Sequence, residues 1–223
     1  MLSSPKKEDR KSRRSSLQRI GAAAGIAIPI IFATLVITAS FLRPGYNQVI
    51  DIISLLGVGP NAIIQNINFV VAGVLSIPFG AALGSTLANL TGRKTRMLTL
   101  DLLIFGAAVV LAGVFLSLVG VPIVGGTAVP ELELFYAHTI VSLVGFVTII
   151  VAQFLAWKVI RNSDASRLMR YGKYSLISGI VSTVFLTIFF LTFESPIEGL
   201  TERLLVAAPL IWVEVTGINL RSL

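Results

Sequence analysis

Six long apolar runs constrain this chain more than any other feature of its sequence. A helix that crosses about 30 Å of hydrocarbon needs roughly 20 apolar residues, and it rarely contains charged ones. The runs that meet this length cover 20–42, 63–90, 97–119, 134–157, 172–193 and 204–220. They occupy more than half of the 223 residues. We therefore predict that residues 20–223 form one domain, an all-α membrane bundle of six transmembrane helices.

The composition excludes several other classes of protein. Only 13% of the residues are charged and 55% are hydrophobic, whereas a soluble domain has about 25% charged residues. The absence of cysteine excludes a disulfide scaffold and a thiolate metal site. A single histidine excludes any site that needs two imidazoles. We therefore predict neither a metal nor a cofactor.

The distribution of charge predicts the orientation in the membrane. All but two of the 18 Lys and Arg residues lie in the N-terminal tail, in the links after spans two and four, or at the C-terminus. The exceptions are Arg43 and Arg203. Because cytoplasmic loops carry the excess of basic residues, we predict a multi-pass protein of the plasma membrane with both termini in the cytoplasm.

Residues 1–19 are predicted to be a basic, disordered cytoplasmic tail. Their charge favours attraction to anionic lipid of the inner leaflet. The positive-inside pattern accounts for this charge, and the tail lacks the aromatic residues that stack on bases, so no nucleic acid is predicted. The run 20–42 is also compatible with a signal peptide, although it is longer than a signal core, and the sequence leaves cleavage open.

Residues 43–61, which link spans one and two, are the most informative short segment. Pro44 and Gly45 end the first helix. Asn47 can cap a new helix and Gly57 can end it. Between them Gln48, Asp51 and Ser54 recur every three residues among apolar ones. This spacing predicts a short interfacial helix with one polar stripe, which faces either water or a cavity, and Asn61 can then cap span two.

Three blocks of residues carry a resemblance to a known family of proteins. The resemblance begins in residues 43–61 and continues through Asn66, Phe69 and Gly73. A second block runs from 118 through Pro130 to His138. A third block is the segment 199–203, which leads into Trp212. These blocks cover most of the chain, and in their order and spacing the sequence resembles a family of uncharacterised membrane proteins, the domain of unknown function 998. The resemblance implies a six-helix integral membrane protein of unknown activity.

Three ionisable residues from separate segments are predicted to lie at the same depth. His138 shares a helical face with Glu131 and Ser142, so it is expected to point into the bundle. Arg203 can pair with Asp51 or with neighbouring glutamates, or it can bind a phosphate or carboxylate group. The three residues Asp51, His138 and Arg203, together with Ser54, form a candidate ligand-binding pocket. An ordinary salt-bridge network would use the same residues.

Small residues on the spans predict close helix packing. Gly73, Gly80 and Gly84 lie on span two, and Gly106 and Gly113 lie on span three. Such residues let helix backbones approach closely, either within one chain or across a homodimer.

These features predict a non-catalytic binder or sensor of a lipid or small amphiphile. The alternative is a small transporter or channel, which broken helices and an inverted repeat would favour; neither is visible. An intramembrane enzyme is a third possibility. The sequence has no Gly-x-Ser-x-Gly elbow, and a zinc-dependent lipid hydrolase would need several histidines.

Overall fold

Six α-helices make up the part of the protein that the structure describes. The structure is a computed structural model that describes residues 5–119 and 131–221, with side chains over 16–119 and 133–221. The helices are α1 (Pro5–Leu42), α2 (Ala62–Thr91), α3 (Arg96–Ser117), α4 (Glu131–Ile160), α5 (Ser166–Leu191) and α6 (Glu198–Leu220). Each contains a segment long and apolar enough to cross a membrane. The predicted all-α bundle of six spans is confirmed.

The helices form a ring in chain order. Each helix packs against the next one along the chain, and α6 packs against α1. The ring closes at the end that holds the chain termini, where Gln18 Nε2 donates to the carbonyl oxygen of Leu220 at 2.7 Å. At the same end Arg93 donates to the carbonyl oxygen of Lys158 at 3.1 Å. We call this the basic end, because the basic links after α2 and α4 lie there.

Residues 43–61, here called the cap segment, cover the opposite end. The predicted interfacial helix between Asn47 and Gly57 is wrong in extent: only a 3₁₀ helix, Ile53–Gly57, follows a few turns. The reason is that other groups take the backbone carbonyls that a helix would use. The carbonyl oxygens of Val49 and Ile50 accept from Leu200 N and Gly199 N. Those two N–H groups belong to the first turn of α6, which has no acceptors of its own there.

Asn61 also differs from its predicted role. It precedes α2, but its side chain makes no hydrogen bond to the first turn of that helix. Instead Asn61 Nδ2 donates to the carbonyl oxygen of Leu42 at 3.1 Å. Asn61 therefore ties the end of α1 to the start of α2.

The small residues of α2 and α3 serve packing within the chain. A Cβ atom added to Gly73 would lie within 3 Å of Gly106 O and Val110 N. One added to Gly113 would lie within 3 Å of Asn66 O. Because glycine allows these backbones to touch, α2 and α3 pack closely along their length. The homodimer through such faces stays a prediction.

Candidate functional site

A buried polar cluster lies beneath the cap segment. Its members are Ser54 of the cap segment, His138 and Ser142 of α4, and Glu202 of α6. Ser54 Oγ lies 2.9 Å from His138 Nε2 and 3.5 Å from Glu202 Oε1. Ser142 Oγ lies 3.4 Å from the same imidazole nitrogen. Three elements far apart in the sequence thus converge on one serine hydroxyl.

His138 is held in a defined orientation. Only 2% of its surface is exposed, and its Nδ1 atom lies 2.9 Å from the carbonyl oxygen of Ala112. A carbonyl can only accept, so Nδ1 carries a hydrogen and Nε2 faces Ser54. Phe69 and Phe135 flank the ring, with centroids 5.9 and 6.1 Å away. The predicted inward orientation of His138 is confirmed.

Glu202 is the acidic member of this cluster, and the set of predicted site residues did not include it. It is only 6% exposed, and its Oε2 atom accepts a hydrogen bond from the backbone N–H of Ile53. Its position follows from α6, whose buried face also includes Leu205, Pro209 and Trp212. That face repeats at helical spacing, so the signal that could have identified Glu202 was present in the sequence.

The hydrogen bonds around Ser54 link the protonation of Glu202 to that of His138. A serine hydroxyl donates only once. If Ser54 donates to His138, the long contact to Glu202 needs a proton on the carboxyl group. If Ser54 donates to Glu202, His138 must be protonated at Nε2. In both arrangements the pair as a whole carries no net charge, which suits a buried site.

Arg203 and Asp51 meet through the backbone rather than as an ion pair. The Arg203 guanidinium donates to the carbonyl oxygens of Asp51 at 2.9 Å and Gly199 at 2.7 Å. It also donates to the hydroxyl of Tyr46 at 2.6 Å. The Asp51 carboxylate instead accepts from Asn47 N at 2.7 Å. Both residues therefore fasten the cap segment to α6.

Tyr46 completes this attachment. Burial raises the pKa of its phenol, although the Arg203 guanidinium acts in the opposite direction. The hydroxyl therefore keeps its proton at neutral pH. It lies 3.1 Å from the carbonyl oxygen of Asp51 and 3.0 Å from that of Ile52, and these two acceptors share its single proton.

A central cavity lies within the ring, directly below the polar cluster. Its volume is about 90 Å³. Ser54, Ser142 and Glu202 line one end of the cavity, and the other described lining residues are apolar or glycine. The apolar walls come from α1, α2, α3, α4 and α6, and include Phe32, Phe105 and Phe146. The cavity therefore combines an apolar body with a polar end.

A lateral groove runs beside the cavity, between α1 and α6. Ala33, Ala207 and Arg203 are among its lining residues. Four residues line both the groove and the central cavity: Phe32, Ile53, Val206 and Leu210. The groove therefore lies directly beside the cavity, with these shared side chains between the two spaces.

The structure thus divides the four predicted site residues into two pairs. Ser54 and His138 belong to the polar cluster, and Ser54 also lines the cavity. Asp51 and Arg203 hold the cap segment above it. The side chain of Glu131 and residues 120–130 lie outside the described residues. Within 16–119 and 133–221, no three His, Asp or Glu side chains converge to hold a metal ion.

One family model matches this chain. It is described as a protein of unknown function (DUF998), and it matches residues 26–219, a range that contains the cap segment, the polar cluster and every described residue lining the cavity. No curated protein and no solved structure matches the chain significantly.

Proposed function

Since the chain belongs to the DUF998 family of proteins of unknown function, we propose from its own geometry that it binds a lipid or small amphiphile without catalysis. The observation that supports this proposal is the central cavity, which is apolar except at the end closed by Ser54, Ser142 and Glu202. Ligand sites are typically apolar, with a few polar groups that orient the ligand. An amphiphile matches this division, with its chain among the phenylalanines and its polar end at the cluster.

The pocket proposed here is deeper than the one predicted from the sequence. The predicted pocket used Asp51 and Arg203 as ligand-binding groups, yet their described hydrogen bonds attach the cap segment. In the proposed function these two residues position Ser54, and Ser54 and Glu202 contact the ligand. The cap segment then acts as the closed end of the binding site.

A catalytic alternative takes its support from the 2.9 Å contact between Ser54 and His138. In a Ser-His-Asp triad, however, the histidine lies between the serine and the acid. Here the serine lies between the histidine and Glu202. This order gives the carboxyl group no direct hold on the imidazole, and it favours binding over hydrolysis.

Filling the cavity tests the proposed function. A Cβ atom added to Gly145 would have ordinary contacts of 3.8 Å or more, so Gly145→Leu places its side chain in the cavity with little strain. Excluding two or three ligand methylenes costs roughly 2 kcal/mol at about 0.8 kcal/mol each. Binding of a single-chain amphiphile, titrated by native mass spectrometry, should therefore weaken by about tenfold or more.

The matched control is Val147→Leu, which adds bulk to the same helix at an exposed position. It should bind as the wild-type protein does. Equal binding by wild type and Gly145→Leu would show that the cavity is not the site. A bound ester that wild type hydrolyses, and that Ser54→Ala leaves intact, would instead support the enzyme.

We also propose that the basic end faces the cytoplasm of a plasma-membrane protein and the cap segment faces outside. The chain has no cysteine, so single cysteines report on each side. Pro196→Cys, near Glu198, should react with a membrane-impermeant maleimide on intact cells. Ala165→Cys, near Arg167, should react only after permeabilisation. Both positions are exposed, and the reverse pattern would contradict the orientation.

A further inference from the structure

We propose that the polar end of the ligand is a protonated amine bound by Glu202; this rests on the proposed function and specifies its ligand class. Among the described residues that line the central cavity, Glu202 alone has an ionisable side chain. A carboxyl group at the end of an apolar cavity selects the charge and the donor capacity of whatever enters. The remaining polar groups there, the hydroxyls of Ser54 and Ser142, can accept as well.

Glu202 keeps accepting capacity on the cavity side. A carboxylate offers about four lone-pair sites. The described hydrogen bonds occupy Oε2 with the N–H of Ile53 and reach Oε1 only through the 3.5 Å contact with Ser54. A primary ammonium group brings three donors. It therefore matches the unused acceptors of Glu202 and the two serine hydroxyls.

Arg203, which is adjacent to Glu202 in the sequence, does not supply a positive charge in the cavity. The guanidinium of Arg203 is directed towards the carbonyl oxygens of Asp51 and Gly199 and the hydroxyl of Tyr46. It lines the lateral groove and not the central cavity. A buried carboxylate needs a compensating charge and hydrogen bonds. In the empty site a proton on Glu202 or on His138 supplies it, and that proton leaves to the solvent when an ammonium group binds.

Several other ionisable groups act on Glu202 from the elements around it. They are His138 of α4 through Ser54, Arg203 and Glu198 on α6, and Tyr46 in the cap segment. None of them places a positive charge among the described residues that line the cavity. An amphiphile with a carboxylate or phosphate head would instead bring a like charge to Glu202, which opposes its binding.

The experiment compares three ligands of equal chain length: decylamine, decanol and decanoate. Binding to the full chain in a zwitterionic nanodisc is titrated by native mass spectrometry near neutral pH. Wild type should bind the amine at least about tenfold more tightly than the alcohol, and decanoate least. Glu202→Gln keeps the size of the side chain and removes its charge, so the amine should lose its advantage over the alcohol.

Glu198→Gln is the matched control, since Glu198 lies one turn earlier on α6 and does not line the cavity. It should keep the preference for the amine. Equal binding of amine and alcohol by wild type overturns the inference without any variant, even if Glu202→Gln fails to fold. An unchanged preference in a folded Glu202→Gln protein overturns it as well.

The same data separate this inference from the proposed function. If wild type binds alcohol and amine equally, and Gly145→Leu weakens both, the cavity binds amphiphiles but Glu202 does not select amines. If wild type binds none of the three ligands, the proposed function itself fails and takes the inference with it.

Discussion

Gly199→Ala is expected to detach the cap segment from α6 and to lower the free energy of unfolding by about 2 kcal/mol. A Cβ atom at this position would lie less than 3.0 Å from the backbone O, C and N atoms of Asp51. Backbone atoms cannot turn aside as a flexible side chain can. The clash also falls where Gly199 N and Leu200 N donate to the carbonyl oxygens of Ile50 and Val49.

The loss should extend to ligand binding, because the same segment carries Ser54. When residues 49–51 move away from α6, Ile53 N and Ser54 Oγ leave Glu202. The buried carboxyl group then loses its described protein partners, which adds to the cost. Thermal unfolding of the purified protein measures the stability. Limited proteolysis within residues 43–61 reports whether the cap segment is released.

Gly145→Ala is the control for this substitution. It makes the same change in a helix, but at a position where the added Cβ has ordinary contacts of 3.8 Å or more. It should be neutral or stabilising by up to about 1 kcal/mol, since alanine favours a helix over glycine. A Gly199→Ala protein as stable as Gly145→Ala would show that the cap segment does not depend on this close contact.

The six spans could be predicted because bilayer thickness acts on each of them locally. A run of about 20 apolar residues fixes the element without knowledge of its neighbours. The cap segment is different, since its carbonyl acceptors are satisfied by Gly199, Leu200 and Arg203, about 150 residues later in the chain. The period of Gln48, Asp51 and Ser54 could not reveal those partners, and the predicted helix was too long for that reason.

The candidate site shows the same limit on a smaller scale. The sequence indicated that Ser54 and His138 belong to one pocket, and they are in direct contact. It offered Asp51 and the neighbouring glutamates as partners for Arg203. The structure instead separates Glu202 from Arg203, although they are adjacent, because successive residues of a helix point about 100° apart. Glu202 faces the cavity, and Arg203 faces the cap segment and the groove.

In the proposed function, the lateral groove is the route by which a ligand enters from the membrane. At the basic end α1 and α6 touch backbone to backbone, since a Cβ added to Gly217 would lie within 3 Å of Ala22 O. Towards the cap segment the groove separates them, and it begins near Pro29. Phe32, which is buried, and the half-buried Val206 and Leu210 then stand between groove and cavity. A movement of these side chains would connect the two spaces.

A plug in the groove is therefore expected to slow ligand exchange by about a hundredfold while leaving the equilibrium affinity nearly unchanged. Ala207 is exposed and lines the groove but not the cavity. In Ala207→Cys, modification with benzyl methanethiosulfonate places an aromatic ring in the groove, and a reducing agent removes it. Association and release of decylamine are followed by stopped-flow measurement before modification, after it, and after reduction.

Ile177→Cys, exposed on α5 and outside both spaces, is the control and should exchange ligand at the unmodified rate. Unaltered exchange in modified Ala207→Cys would exclude the groove as the route, and would direct attention to the cap segment as the opening.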